Sequence, residues 1–395
     1  MKKSLILILV LMMTLSMSLW AGGKSEAAPK VNEAQEKWLK DNQLGQYATD
    51  TQDWAAIEAA AKKEGSVIIY ANSSKIAKAV DAWNKIYPDI KIEGYDLGGD
   101  DVLSKTLGEQ QSGLFVGDVW FSSGGADVIG NVLPHKYIWR FVPDSLKGKI
   151  DPVYTDPLLV SRLGTTILCY NSELNKTSPV SNIWELTEPK WNKKIVVEDP
   201  LNDASTMSKL LTYVAHPKEM EAAYVEYFGK KPVLDKDTPD AGWLWFKRFA
   251  QNAPIAQPGG DEVDSAFASP GMKENYIAFT SYSNYPDVQE GNLFFEPCWG
   301  LKPMLGIQSQ SYLAVINQAP HPNAAKLFIR FITSKDGRKP WAKFGTYFPD
   351  ASYKVPEGMK TLEEIFEVTW FIDEKFAYDN LVQARDFYLL NHGKK

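Results

Sequence analysis

WAAIEAAAKKEGSVIIY, from Trp54 to Tyr70, followed by SKIAKAVDAWNKI, from Ser74 to Ile86, is the stretch on which the fold turns. Trp54, Ile57 and Ala61 stand at helical spacing, and Gly65 supplies the left-handed conformation that commonly closes a helix. Ser66 to Tyr70 is a β-branched and aromatic run too short to be helical. Ile76, Val80, Trp83 and Ile86 then recur with a helical period until Pro88 stops it. The strand-then-helix order repeats as Ile90 to Tyr95 with Asp101 to Gln110, and as Val116 to Phe121 with Ala126 to Leu133. Alternation with short connections predicts a parallel sheet covered by helices on both faces.

A second series follows: strand Ile195 to Glu198, helix Ser205 to Val214, the aromatic-rich helix Gly242 to Ala250, and strand Tyr276 to Thr280. Between the series lies LGTTILCY, Leu163 to Tyr170, extended and apolar. A matching segment, Tyr312 to Ile316, precedes the helix Asn323 to Thr333 with its face of Leu327, Phe328, Phe331 and Ile332. Two extended crossings between two α/β halves predict two lobes, two hinge strands and a cleft. Lobe 1 is expected over 53–166 with 313–350, and lobe 2 over 167–312. A polar extension (22–52) precedes them and a helical segment (351–395) follows.

The 395 residues, 44% hydrophobic and 12% aromatic, exclude a disordered chain, and two cysteines against 27 glycines exclude a disulfide scaffold. Cys169 and Cys298 either pair or stay as buried thiols; geometry decides between these. A net charge of −6 without a basic run speaks against nucleic acid or anionic lipid as partner. Lys2 and Lys3, the apolar Leu5 to Trp20, and then Ala21, Gly22 and Gly23 read as an export signal over 1–21, cleaved near Ala21. That places the mature protein in the periplasm or otherwise outside the cell. His135, His216, His321 and His392 show no metal-ligand spacing, so no metal site is expected.

Four strand-to-helix turns share small and hydroxyl residues: Asn72-Ser73-Ser74, Ser122-Ser123-Gly124-Gly125, Asn202-Asp203-Ala204-Ser205-Thr206 and Gly259-Gly260-Asp261. Such turns serve as helix caps, and they also expose N–H groups at the strand ends where open α/β sheets bind ligands. Tyr282 and Tyr285, directly after a strand, could ligate ferric iron, bond an organic ligand or simply pack, and Trp299 could stack on a ring. No Gly-x-Ser-x-Gly, P-loop or His-Glu-x-x-His occurs, so an enzyme is not expected; a secreted hydrolase is the rival from another class.

These features meet a family resemblance in WAAIEAAAKKEGSVIIY, AWNKIYPDIKI (Ala82 to Ile92), GDVWFSS (Gly117 to Ser123), WELTEPKWNKKIVVEDP (Trp184 to Pro200) and AVINQAPHPNAAKLFIRF (Ala314 to Phe331). The chain resembles the periplasmic solute-binding proteins of ABC importers, in the type II class related to ferric-ion-binding and organophosphate-binding components. The resemblance implies ligand capture by lobe closure and delivery to a permease in the cytoplasmic membrane; a monomer without a cofactor is expected. Ferric members tend to carry two consecutive tyrosines, whereas here Ser283 and Asn284 separate them. The polar helix starts point to a small anionic or phosphorylated organic ligand, with ferric iron plus a synergistic anion as the alternative. Asp100, Asp203 and Asp261 pull the other way, toward hydroxyls or an amine. The candidate ligand contacts are Ser73, Ser74, Ser122, Ser123, Gly124, Asp203, Ser205, Thr206, Asp261, Tyr282, Tyr285 and Trp299.

Overall fold

Asp53 accepts the Ala56 N–H at 3.0 Å and Gly65 sits at φ 73°, so the first predicted helix runs Trp54–Glu64 between the two residues that signalled it. The computed structural model describes residues 31–394; the export signal and its cleavage point lie outside them. Its strands are β1 (Ser66–Ala71), β2 (Lys91–Asp96), β3 (Val119–Ser122), β4 (Ile138–Trp139), β5 (Leu159–Asn171) and β6 (Ile195–Glu198). Then come β7 (Ile255–Gln257), β8 (Ile277–Ser281), β9 (Phe295–Pro297), β10 (Gly306–Ile316), β11 (Thr346–Tyr347) and β12 (Thr369–Phe371).

The central order is β2-β1-β3-β10-β5-β8-β6-β7. Within it β2-β1-β3 and β8-β6-β7 are parallel, each with its intervening helices, as the alternation predicts. The joining strands are antiparallel. The two extended crossings turn out to be bonded to each other: β5 and β10 pair from Ile167 with Gly306 to Leu159 with Leu313, with a register shift at Ser311 and Tyr312. Such a two-stranded bridge can bend at its bulge while each parallel half keeps its ladder.

The apolar filling falls into two clusters, one within the first half and a larger one that fills the second half and reaches Tyr70 and Trp120 of the first. Ile69, Phe121, Leu313 and Val315 pack with Trp83 and Phe328, whereas Ile195, Val197 and Leu211 pack with Trp245 and Phe249. Burying each such aromatic ring stabilises by roughly 2–3 kcal/mol. The segment before residue 53 is a working part of the first filling: Asn32 caps helix Glu33–Asp41, Leu39 and Leu44 are buried, and Gln35 donates to Asn317 Oδ1 at 2.8 Å.

The helix expected at Ala126 to Leu133 is a single turn, Gly125–Asp127, that widens over Val128–Val132, where the Leu133 N–H reaches the Val128 carbonyl at 2.9 Å. There the Tyr378 ring lies flat on Gly130, in space that any side chain would occupy. Tyr378 belongs to the C-terminal helix Glu374–Asn391, whose Phe387 also meets Trp243 at 5.2 Å. That helix therefore touches both halves of the molecule.

Candidate functional site

The turn after β1 and the turn after β3 meet: Asn72 Nδ2 donates to Ser123 Oγ at 2.6 Å. Across from them, Asp203 caps helix Ala204–Val214 by accepting the Ser205 N–H at 2.8 Å, and the Thr206 hydroxyl donates to Asp203 at 2.8 Å and Glu198 at 3.0 Å. Between these turns lies a cavity of about 440 Å³, continuous with a smaller one of about 180 Å³ through Ser123, Glu198, Ser205, Lys209 and Ser309. A third wall comes from the start of helix Gly99–Ser112, and a fourth from Ile372 and Glu374. The floor is the hinge itself, with Thr165 and Thr166 of β5 and Ser309 of β10.

Of the twelve candidate contacts, Ser123, Gly124, Asp203 and Ser205 line this space together. Thr206 stands just behind, its hydroxyl spent on Glu198 and Asp203. Ser73 accepts from Trp341 Nε1 at 2.9 Å, Ser74 is exposed, and the buried Ser122 hydroxyl has no partner among the described residues; none of the three lines the cavity. Asp261 is exposed outside it, although its neighbour Gly260 lines the smaller compartment.

Tyr282, Tyr285 and Trp299 form an aromatic cluster elsewhere. Tyr285 stacks on Phe344 at 4.9 Å and donates to Glu296 Oε1 at 3.0 Å, while Tyr282 is 5.7 Å from Tyr285 and 6.1 Å from Trp299. Lys360 sits 4.8 Å over the Trp299 ring. Gly345 makes the cover over these tyrosines possible: at φ 77°, any Cβ there would stand 2.1 Å from the Tyr282 carbonyl oxygen. Burial raises Tyr282 well above the ordinary phenol range and pushes Tyr285 up to about 12, and the Tyr285 hydroxyl is already spent on Glu296. Among the described residues no group of three His, Cys, Asp or Glu side chains is placed to hold a metal ion. Cys169 and Cys298 are both free and buried, the second of the two readings left open by the sequence.

The lining is acidic. Asp100, Asp101, Asp127, Asp203 and Glu374 carry no salt bridge among the described residues, and the one lysine in the lining, Lys209, is 3.6 Å from Glu198. Loss of solvent, then the Asp203 carboxylate, raises Asp100; burial, then Asp100, raises Asp127. Burial, then Asp373, pushes Glu374 up to about 8, against the stabilising Ala126 N–H. Glu374 reaches so close only because residue 125 is glycine; a Cβ there would lie 2.1 Å from its Oε1. The Gly98-Gly99-Asp100 turn carried a readable signal of the same kind as the other four. Glu374 carried none, since it comes from the far end of the chain.

The model of the bacterial extracellular solute-binding protein family matches residues 126–365. The chain belongs to this family. Members bind small solutes outside the cytoplasm and deliver them to ABC permeases, and the two-lobed body described above fits that work. Similar solved structures include iron-bound HitA from Pseudomonas aeruginosa, at 16% identity and a TM-score of 0.62, covering 82% of this solute-binding protein and 99% of HitA. The periplasmic binding protein AfuA from Actinobacillus pleuropneumoniae with fructose-6-phosphate matches at 15% identity and 0.62, covering 83% and 98%. MotA from A. tumefaciens B6 in complex with glucopine matches at 15% and 0.60, covering 82% and 98%. At such identities the likeness is one of fold, that of two-lobe periplasmic binding proteins. No curated protein sequence matches this solute-binding protein. No helix among its described residues is long and apolar enough to cross a membrane.

Proposed function

We propose that this binding protein captures a small, hydroxyl-rich organic solute bearing a protonated amine, and that it does so as an exported monomer that neither transforms the solute nor contacts nucleic acid. The observation that carries this reading is the acidic lining of the cleft. There Asp100, Asp101, Asp127 and Asp203 form no salt bridge among the described residues and Glu374 adds a proton-holding carboxyl, with Arg385 as the cation whose charge reaches Asp100 and Asp127. Taken alone, the exposed N–H groups of the helix starts suit an anion. In the folded protein Asp203 already caps its own helix start, and Asp100, Asp127 and Glu374 surround the remaining donors. A second negative group would meet like charge in this cavity; a cation would lower the raised carboxyl pKa values and release protons. Asn72, Ser123, Thr165 and Ser309 supply the neutral donors and acceptors that hydroxyl groups need.

Native mass spectrometry of protein purified without denaturation identifies the retained solute, and an amine is expected in it; a purely anionic solute overturns the reading. For that solute, Asp100→Asn and Asp203→Asn each weaken binding by about 10–100-fold, the worth of one charge-assisted hydrogen bond. Calorimetry measures this, and unchanged affinity in both variants would refute the assignment.

The lobes are 53–166 with 313–350 and 167–312, and they close by rotation about β5 and β10. Ligand that contacts both walls shifts the population toward the closed form. The radius of gyration from small-angle X-ray scattering is therefore expected to fall on saturation with the retained solute. An unchanged radius means a rigid, preformed site.

A further inference from the structure

A second charged cluster, of opposite sign, stands apart from the cleft lining. Arg162 lies on β5 beside the bulge, its guanidinium 5.0 Å from the Phe121 ring centre and 5.4 Å from that of Trp341. The rings hold the guanidinium plane but offer it no acceptor, and Nη1 is buried without a hydrogen-bond partner among the described residues. Lys75 and Lys343, both half-buried, stand two residues after Ser73 and two residues after Trp341, the pair hydrogen-bonded beside it through Trp341 Nε1 and Ser73 Oγ at 2.9 Å. Burial, then the charges of Lys343 and Arg162, pulls the Lys75 amine down to about 8, and burial lowers Arg162 to about 10, which leaves it charged at neutral pH. Among the described residues no carboxylate forms a salt bridge with any of the three. Ser73 completes the group. Its Oγ accepts from Trp341 Nε1 at 2.9 Å, which leaves its own hydrogen to donate.

We propose that Lys75, Arg162 and Lys343 form an oxyanion-binding site, with the Arg162 fork and the Ser73 hydroxyl as directional donors and the two lysines as charge. Three partly buried cations without a counter-charge repel one another, and a guanidinium does not relieve this by losing its proton. A phosphate or similar group supplies the missing acceptors to Nη1 and neutralises all three at once. None of the three cations lines the acidic cavity, so this group is separate from the residues that line it.

The test is calorimetric titration of the full protein, exchanged into phosphate-free buffer at pH 7, with inorganic phosphate. One phosphate per chain is expected, bound about tenfold more weakly by Lys343→Gln and restored in part by Lys343→Arg. Arg162→Gln is expected to abolish binding, but it removes a packed side chain; the half-exposed Lys343 keeps the test valid if that variant fails to fold. A parallel titration with glycerol 3-phosphate separates two sources of the same chemistry. Tighter binding that also responds to Asp100→Asn assigns the anion to a group on the captured solute, whereas equal affinity for both probes assigns a free-standing oxyanion site. Absence of saturable phosphate binding, or equal affinity in the parent and Lys343→Gln, overturns the proposal.

Discussion

Asp118→Ala is expected to lower the free energy of unfolding by about 3–5 kcal/mol. Asp118 is fully buried just before β3, and its two oxygens accept from the Ile68 N–H at 2.7 Å, the His321 N–H at 2.8 Å and His321 Nδ1 at 3.0 Å. It thereby ties β1 to the residue that precedes helix Pro322–Ile332. Alanine leaves two backbone donors without acceptors where Asp118 was fully buried, and takes the acceptor from a partly exposed imidazole; the desolvated donors set the size of the effect. The bond to Asp118 also raises the His321 pKa. With the folded value above the unfolded one, this contribution is complete below the unfolded pKa and fades as pH rises through the folded one. Urea denaturation at pH 6 and pH 8 measures both parts. A loss below about 1 kcal/mol at either pH would mean that water replaces the carboxylate.

Glu374→Gln is expected to flatten the pH dependence of stability between pH 5 and 8. In the folded protein this carboxyl is pushed up to about 8 from the ordinary glutamate value of 4.5, held up first by burial and then by Asp373 and Asp127, with the Ala126 N–H opposing. The folded form keeps a proton that the unfolded form gives up. Stability from this group is therefore full below the unfolded pKa and declines as pH rises through the folded value, by about 3–4 kcal/mol over the whole interval. Glutamine keeps the shape, stays neutral and removes that decline. Denaturant midpoints at pH 5 and pH 8 for parent and variant are the measurement; parallel curves would mean that Glu374 is already ionised. In the parent, an amine-bearing ligand should displace this proton and bind more tightly as pH rises.

Local signals carried the regular elements well, because each depends on neighbours in sequence. Asp53, Gly65 and Pro88 bound their helices by backbone capping and by a missing donor, which act within one turn. The same locality explains the tyrosines. Nothing near Tyr282 and Tyr285 shows that Phe344 and Gly345, some sixty residues on, come back to cover them. The widened turn at Val128–Val132 likewise answers to Tyr378, far along the chain.

By itself the sequence determined the alternation of strands and helices, the two crossings between lobes and the family, since periodicity, caps and motif order all reside in contiguous residues. It also placed polar turns at the strand ends that line the cleft. Only the tertiary structure decided the sign of charge that lines the cavity. Each carboxylate alone is an ordinary helix cap or first-turn acid, and the field arises when Asp100, Asp127, Asp203 and Glu374 converge from four separate segments. The cationic group of Lys75, Arg162 and Lys343 arises in the same way. Electrostatic energy depends on distance in space and on burial, and neither can be read from spacing along the chain.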